Sequence, residues 1–207
     1  MTQTLYIHPD NPQQRLIRQA ADIIRQGGLV AYPTDTTYAL GCGIGEKAAL
    51  ERLIKLRRLS DKHQFSILCA DLSEIATYAK VRNTDYRLIK AHTPGAYTFI
   101  LQGTSEVPRR LMHEKKRTIG IRVPDNAICQ ALLIELGAPL MTSTLLLPGD
   151  EFPLSDPIDI ESSIGNQVDL IIDGGFGGLE ETTVVSLVED SGPVIVRAGA
   201  GPTERIF

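Results

Sequence analysis

Tryptophan is absent from this 207-residue chain, and cysteine nearly so. Cys42, Cys69 and Cys129 are odd in number, far apart in the chain and form no CxxC pair, which argues for reduced thiols over a disulfide framework. His8, His63, His92 and His113 stand singly, with no HxxxH or HExxH spacing, so no dedicated zinc or iron site is expected. No apolar run approaches the roughly 18 residues of a membrane span. The first residues, MTQTLYIHPDN, show neither the basic start nor the apolar core of a signal peptide. A soluble, cytoplasmic protein without a membrane partner is expected. Familiar nucleotide and nucleophile motifs are missing too. No GxxxxGK[ST] occurs, which excludes a P-loop, and no nucleophile elbow is present. Gly41, Gly43 and Gly45 have GxGxG spacing without the GxGxxG register of a dinucleotide fingerprint.

One further absence is regional. Residues 123–196 contain no Lys or Arg and 13 Asp/Glu, whereas residues 1–122 carry 19 Lys/Arg against 11 Asp/Glu. The overall charge of −4 hides this segregation. It leaves two readings: a positive surface that attracts nucleotides or nucleic acid, or a fold that interleaves the halves and averages the field.

What is present is ordinary for a globular chain, with 43% hydrophobic and 22% charged residues. The length suffices for one core, no linker or repeat divides it, and residues 1–207 read as a single domain. A strand near Leu5–Ile7 precedes a helix that Asn11 can cap, with Pro12 in its first turn and Gly27-Gly28 at its end. A strand over 29–33 runs into the polar loop PTDTTYALG, and a helix spans about 46–58. Strands are expected at 65–69, 97–101, 118–123, 139–145, 168–172, 183–188 and 194–197. Helices are expected near 73–80, 84–91, 108–112 and 126–136, and an acidic loop over 148–160 leads to a short one. This alternation predicts an α/β fold, a mixed parallel and antiparallel sheet with helices packed on it. The closing strands are too near one another for helical crossovers, so a pure doubly wound sheet is not expected.

Several stretches carry candidate chemistry. Leu50, Leu53 and Ile54 form a core-facing stripe whose next position is Arg57. Arg57 either snorkels from the helix end or aims into a cleft, where with Lys55 and Arg58 it would suit a polyphosphate. On Thr118–Val123, alternation sets Ile119, Ile121 and Val123 on one face and Thr118, Gly120 and Arg122 on the other. A bare glycine beside an arginine suits a ligand lying on a sheet, or simply an exposed sheet face. Arg109, Arg110, Lys115, Lys116 and Arg117 form a cationic run: solvated surface, or a salt-sensitive contact to a nucleic-acid backbone. It lacks aromatic interleaving, which favours duplex or structured RNA over splayed bases. Thr142, Ser143 and Thr144 place hydroxyls on one strand, and Thr182 and Arg197 add a hydroxyl and a cation near the end. In PTDTTY, Thr34 and Thr36 either make a hydrogen-bonded turn or line a pocket.

Taken in order, PTDTTYALG, Lys55-x-Arg57, TPGAYTFIL, IGIRVP, TST, TTVV and VRAG resemble the YrdC-like family of threonylcarbamoyl-AMP synthases over roughly residues 10–200. Within it the chain looks most like the YciO branch. The resemblance implies a twisted, open α/β sheet with a positively charged concave surface. It implies ATP as substrate, with threonine or a related small amine, bicarbonate and Mg2+, and release of pyrophosphate. It also implies tRNA or double-stranded RNA as a partner, in modification of a tRNA adenosine. On this basis Thr34, Thr36, Arg122, Thr142 and Thr182 would hold the amino acid. Lys55, Arg57, Arg58, Thr118, Ser143, Thr144 and Arg197 would hold the nucleotide, with Arg109, Arg110, Lys115, Lys116 and Arg117 on RNA. No covalent nucleophile is implied. Three stretches depart from the synthase pattern. Ser-Ala-Asn reads Ser143-Thr144-Leu145, YGLG reads Tyr38-Ala39-Leu40-Gly41, and the lysine-rich KxRP…KPL continuation reads Arg57-Arg58-Leu59-Ser60-Asp61-Lys62-His63-Gln64-Phe65. Three functional expectations follow: a synthase, a non-catalytic RNA-binding module on the same basic surface, or a diverged synthase acting on another amine.

Overall fold

In the computed structural model, residues 2–60, 63–189 and 191–206 are described; Asp61 and Lys62 of the altered lysine-rich stretch lie outside them. One mixed sheet organises the molecule. Its first half comprises β1 (Gln3–Tyr6), β2 (Val30–Pro33), β3 (Tyr38–Gly43), β4 (Ser66–Leu68), β5 (Ala79–Lys80) and β6 (Tyr97–Gly103). The remainder are β7 (Thr118–Arg122), β8 (Leu140–Thr144), β9 (Leu170–Asp173), β10 (Thr183–Ser186) and β11 (Val194–Arg197). Across the sheet the order is β1-β9-β2-β3-β8-β4-β7-β6-β10-β11, with β5 paired to β6. β9 runs parallel to β1 and β2, β4 to β7, and β10 to β6, while β2–β3, β3–β8, β8–β4, β6–β7 and β10–β11 are antiparallel. The mixed α/β sheet expected from the alternation of elements is the one observed.

Side-chain alternation divides the apolar residues between the two faces. Tyr38, Leu40, Met141, Ile67, Ile119, Ile121 and Phe99 enter one cluster. It is covered by α2 (Lys47–Arg57), α3 (Leu72–Tyr78), α4 (Asn83–Ala91) and α6 (Pro157–Ile164), through Leu50 and Leu53, Ile75, Ile89 and Ile160. Tyr32, Ala39, Leu68 and Leu140 face the other way, against Ile17, Ala20 and Ile24 of α1 (Gln14–Arg25) and Ile128 and Leu132 of α5 (Ala127–Leu136). α1 and α5 cover only part of this second face.

Three local expectations need correction. Asn11 does not cap α1. The helix starts at Gln14, and His8 instead organises the approach, its Nδ1 accepting the N–H groups of Asp10 and Asn11 while Gln13 Oε1 accepts the N–H of His8. Residues 38–43, read as the end of a loop, form β3: YALGCG is weakly strand-like by propensity, but small Ala39 and Gly41 alternate with buried Tyr38, Leu40 and Cys42. α6 begins at Pro157, inside the expected acidic loop, because Asp156 accepts the N–H of Ile158 and so caps it.

The charged halves interleave. β9 lies between β1 and β2, and β8 between β3 and β4, so strands of the acidic half sit inside the basic half. Arg52 pairs with Asp169 and Arg18 with Glu135 across the same division.

Candidate functional site

Where the second face is uncovered, one row of residues crosses five strands in register, the small Gly41, Thr142, Ser66 and Gly120 and then Ile100. The last four floor a cleft of about 360 Å3, within the size range of small-ligand sites. Gly120 is held to glycine by its own neighbours: an added Cβ would lie 2.3 Å from Ser66 Oγ and 3.1 Å from Thr98 Cγ2. Thr142 accepts a hydrogen bond from Tyr32 Oη at 2.7 Å. Burial holds the Tyr32 phenol well above its ordinary pKa, so it remains a donor.

Arg122 ends β7 on this face and is buried. Its Nη2 donates to Asp35, to Thr36 Oγ1 at 3.0 Å and to Thr34 Oγ1 at 3.4 Å. Its Nε–H is buried with no partner among the described residues. The PTDT segment is at once a turn and a wall. Thr34 Oγ1 donates to the carbonyl of Thr37 at 2.6 Å and accepts the N–H of Thr36 at 3.1 Å, closing the β2–β3 hairpin. Thr37 lines the cleft directly; Thr34 and Thr36 reach it through Arg122.

Arg57 comes from the last turn of α2, on the opposite side of the sheet, and still lines the cleft. Nε donates to the Leu146 carbonyl at 3.0 Å and Nη1 to Ser143 Oγ. Burial pushes this guanidinium below its usual pKa, and the Glu181 charge opposes the shift. Arg197 of β11 is bound by Glu181 at 2.7 Å and donates to the Thr182 carbonyl. Glu181 also accepts from Thr144 Oγ1 at 2.7 Å, and the Thr182 and Thr98 hydroxyls meet at 2.8 Å. Thr118 lies behind the wall, where Gln64 donates to it at 3.2 Å. His63 lines the same cleft, its ring edge-on to Phe65 at 4.9 Å.

The cleft therefore gathers Arg57, Arg122, Arg197, Thr142, Ser143, Thr144 and Thr182. Lys55 and Arg58 are elsewhere, with Arg52 and Gln167 around a separate depression. Arg58 caps α2 in a left-handed conformation, with φ 48°, and is exposed. Arg109, Arg110, Lys115, Lys116 and Arg117 are exposed and also outside the cleft; Arg110 donates to the Gly45 carbonyl. Leu145 is fully buried in the apolar cluster under α2, not at the cleft. Sequence reasoning missed His63, Gln64, Ser66, Thr98 and Glu181. Only Glu181, next to the TTVV run, had a local signal; Ser66 and Thr98 gain meaning from strand register, and His63 and Gln64 from the segment that leads into β4. The described carboxylates beside the cleft, Asp35 and Glu181, are each held by an arginine, so among the described residues the site has no free carboxylate set for Mg2+. Among the described residues no group of His, Cys, Asp and Glu could hold a metal ion, and no helix is long and apolar enough to cross a membrane.

Comparison with known proteins places these residues in context. The pattern of the Sua5/YciO/YrdC family, described as telomere recombination, matches residues 22–199. YciO of Escherichia coli K12 is 57% identical over 201 residues, covering 97% of both chains. The crystal structure of E. coli YciO superposes with a TM-score of 0.96 over 100% of each chain, at 55% identity. A threonylcarbamoyl-AMP synthase of Nitrosococcus oceani is 31% identical over 162 residues, 78% of this chain and 86% of the synthase. Sua5 of P. abyssi, solved in complex with L-threonine, has a TM-score of 0.90 at 28% identity, over 99% of this chain and 60% of Sua5.

Proposed function

The chain belongs to the Sua5/YciO/YrdC family, and on that premise we propose that its cleft binds ATP and a small amino acid, threonine or a related amine, and joins them through a carbamoyl group. One observation carries this reading: arginines from three separate elements, Arg57, Arg122 and Arg197, line one small cleft among Thr and Ser hydroxyls. Arg122 is buried and Arg57 half-buried, which is costly for a guanidinium unless it meets an anion, and among the described residues Arg122 and Arg197 have a carboxylate partner while Arg57 has none. The unpartnered Nε–H of Arg122, beside Thr34 and Thr36, gives the amino-acid carboxylate a donor there. Arg57, Arg197, Ser143, Thr144 and Thr182 are left for the phosphates and ribose, with Mg2+ arriving on the triphosphate.

In the proposed reaction the amine loses a proton and attacks carbon from bicarbonate, with loss of water. A carbamate oxygen then attacks the α-phosphorus, and the bond to pyrophosphate breaks. The protein's part is positioning and charge neutralisation, so no covalent nucleophile is required. The test is pyrophosphate release with ATP, threonine, bicarbonate and Mg2+. Turnover should need both the amino acid and bicarbonate, and Arg57→Ala should lower it on the order of 100-fold. Release no greater than that of Arg57→Ala overturns the reading.

A second reading has its own observation. Arg109 is exposed on a short helical turn, and Lys115, Lys116 and Arg117 are exposed on the turn after it, which His113 stabilises by accepting the N–H groups of Lys115 and Lys116. That turn lies off the cleft and would suit the phosphate backbone of tRNA or double-stranded RNA.

A further inference from the structure

His63 is the one imidazole on the cleft wall, and among the described residues nothing hydrogen-bonds to its ring. Phe65 supports one side of the ring at 4.9 Å, so the imidazole is positioned without being engaged. Among the described residues the charged groups around it are Arg57 from α2, Glu181 from the segment before β10, and, on the same cleft, Arg197 from β11 and Arg122 from β7, the last paired with Asp35. This surplus of cations suits a polyanion. We propose that His63 is a phosphate-binding residue of the cleft that enters the complex as the imidazolium, so that nucleotide and proton bind together. The inference rests on the nucleotide reading of the cleft.

The physical reason is a change of neighbours. In the free protein, burial and then the Arg57 charge push His63 down to about 4, with Glu181 pulling the other way. The imidazole is neutral at pH 7 and adds no charge to the empty cleft. A triphosphate seated on Arg57 neutralises that cation and brings several negative oxygens beside the ring. Both changes favour the charged form, and each imidazole N–H then has an acceptor. The complex thus holds more protons than the free protein. Affinity rises as pH falls through the raised value of the complex, and the gain ends near pH 4, where the free protein protonates as well. If the complex only restores an ordinary imidazole value, His63 alone makes binding about fourfold tighter at pH 6 than at pH 8.

With four histidines in the chain, their ring resonances can be followed individually by NMR. The titration is run on the wild-type protein with and without saturating ATP, omitting threonine and bicarbonate so that nothing turns over. The His63 signal is the one lost in His63→Gln. Its midpoint should lie near 4 in the free protein and rise to the ordinary imidazole value, roughly 6.5, with ATP. ATP affinity measured at pH 8 and pH 6 should improve about fourfold more in the wild type than in His63→Gln, because the nucleotide's own ionisation is common to both. An unchanged midpoint in the ATP complex, or equal pH dependence in the two proteins, overturns the proposal. Failure of ATP to bind at all overturns the nucleotide reading with it, whereas binding with an unchanged midpoint removes the role of His63 alone.

Discussion

At the scale of single residues, each described carboxylate beside the cleft already holds an arginine: Asp35 holds Arg122, and Glu181 holds Arg197. Among the described residues Arg57 has only a carbonyl and a hydroxyl for partners, which makes it the cation most ready to accept a phosphate. Leu145 belongs to a different part of the molecule. By resemblance its position would carry an asparagine, and restoring that residue looks like a way to rebuild a ligand clamp. Here the side chain is fully buried among apolar neighbours, while the backbone N–H bonds to the Tyr38 carbonyl. Leu145→Asn should therefore destabilise the protein by roughly 3 kcal/mol or more, through lost apolar burial and an unsatisfied amide. Chemical denaturation measures this. A stable Leu145→Asn protein with raised threonine-dependent turnover would show that the side chain can reach the cleft after all.

At the scale of elements, the cleft floor is a matter of register. Ser66 stands opposite both Gly120 and Thr142, so one hydroxyl fills the space that a side chain at 120 would need. Gly120→Ala should cost about 1–3 kcal/mol by overpacking, and Ser66→Gly in the same chain should recover much of it. A double-mutant cycle of unfolding free energies tests the coupling. Simple additivity would mean that the two residues do not compete for that space. The alternation of Ile119, Ile121 and Val123 against Thr118, Gly120 and Arg122 was legible in the sequence, because a strand repeats every two residues. The reason for the glycine was not, since its neighbour comes from a strand more than fifty residues away. β3 was hidden for a related reason: its residues have little intrinsic preference for a strand and pair because β2 and β8 flank them.

At the scale of the whole molecule, the sheet order mixes two segments of opposite charge, and that limits the field the basic half can project. Any RNA contact is thereby confined to local clusters, and the exposed run at 109–117 is the main candidate. Charge reversal of Arg109, Arg110, Lys115 and Lys116 together should weaken duplex or tRNA binding and flatten its dependence on salt, read from binding isotherms between low and moderate salt. Affinity and salt slope unchanged by those substitutions would remove that surface as an RNA site. Such exposed, sequence-local charge is visible in the chain itself, as are the α/β alternation, the apolar stripe of α2 and the ordered motifs that mark the family. Each depends on neighbours a few residues apart, and short-range periodicity records those neighbours directly. Which cations share a cleft is a different kind of fact. Lys55 and Arg57 are two residues apart and face separate depressions, while Arg57, Arg122 and Arg197 come together from distant positions with His63 and Glu181. Only the tertiary structure decided that grouping, because helix rotation and strand order place side chains by long-range pairing, which no local pattern encodes.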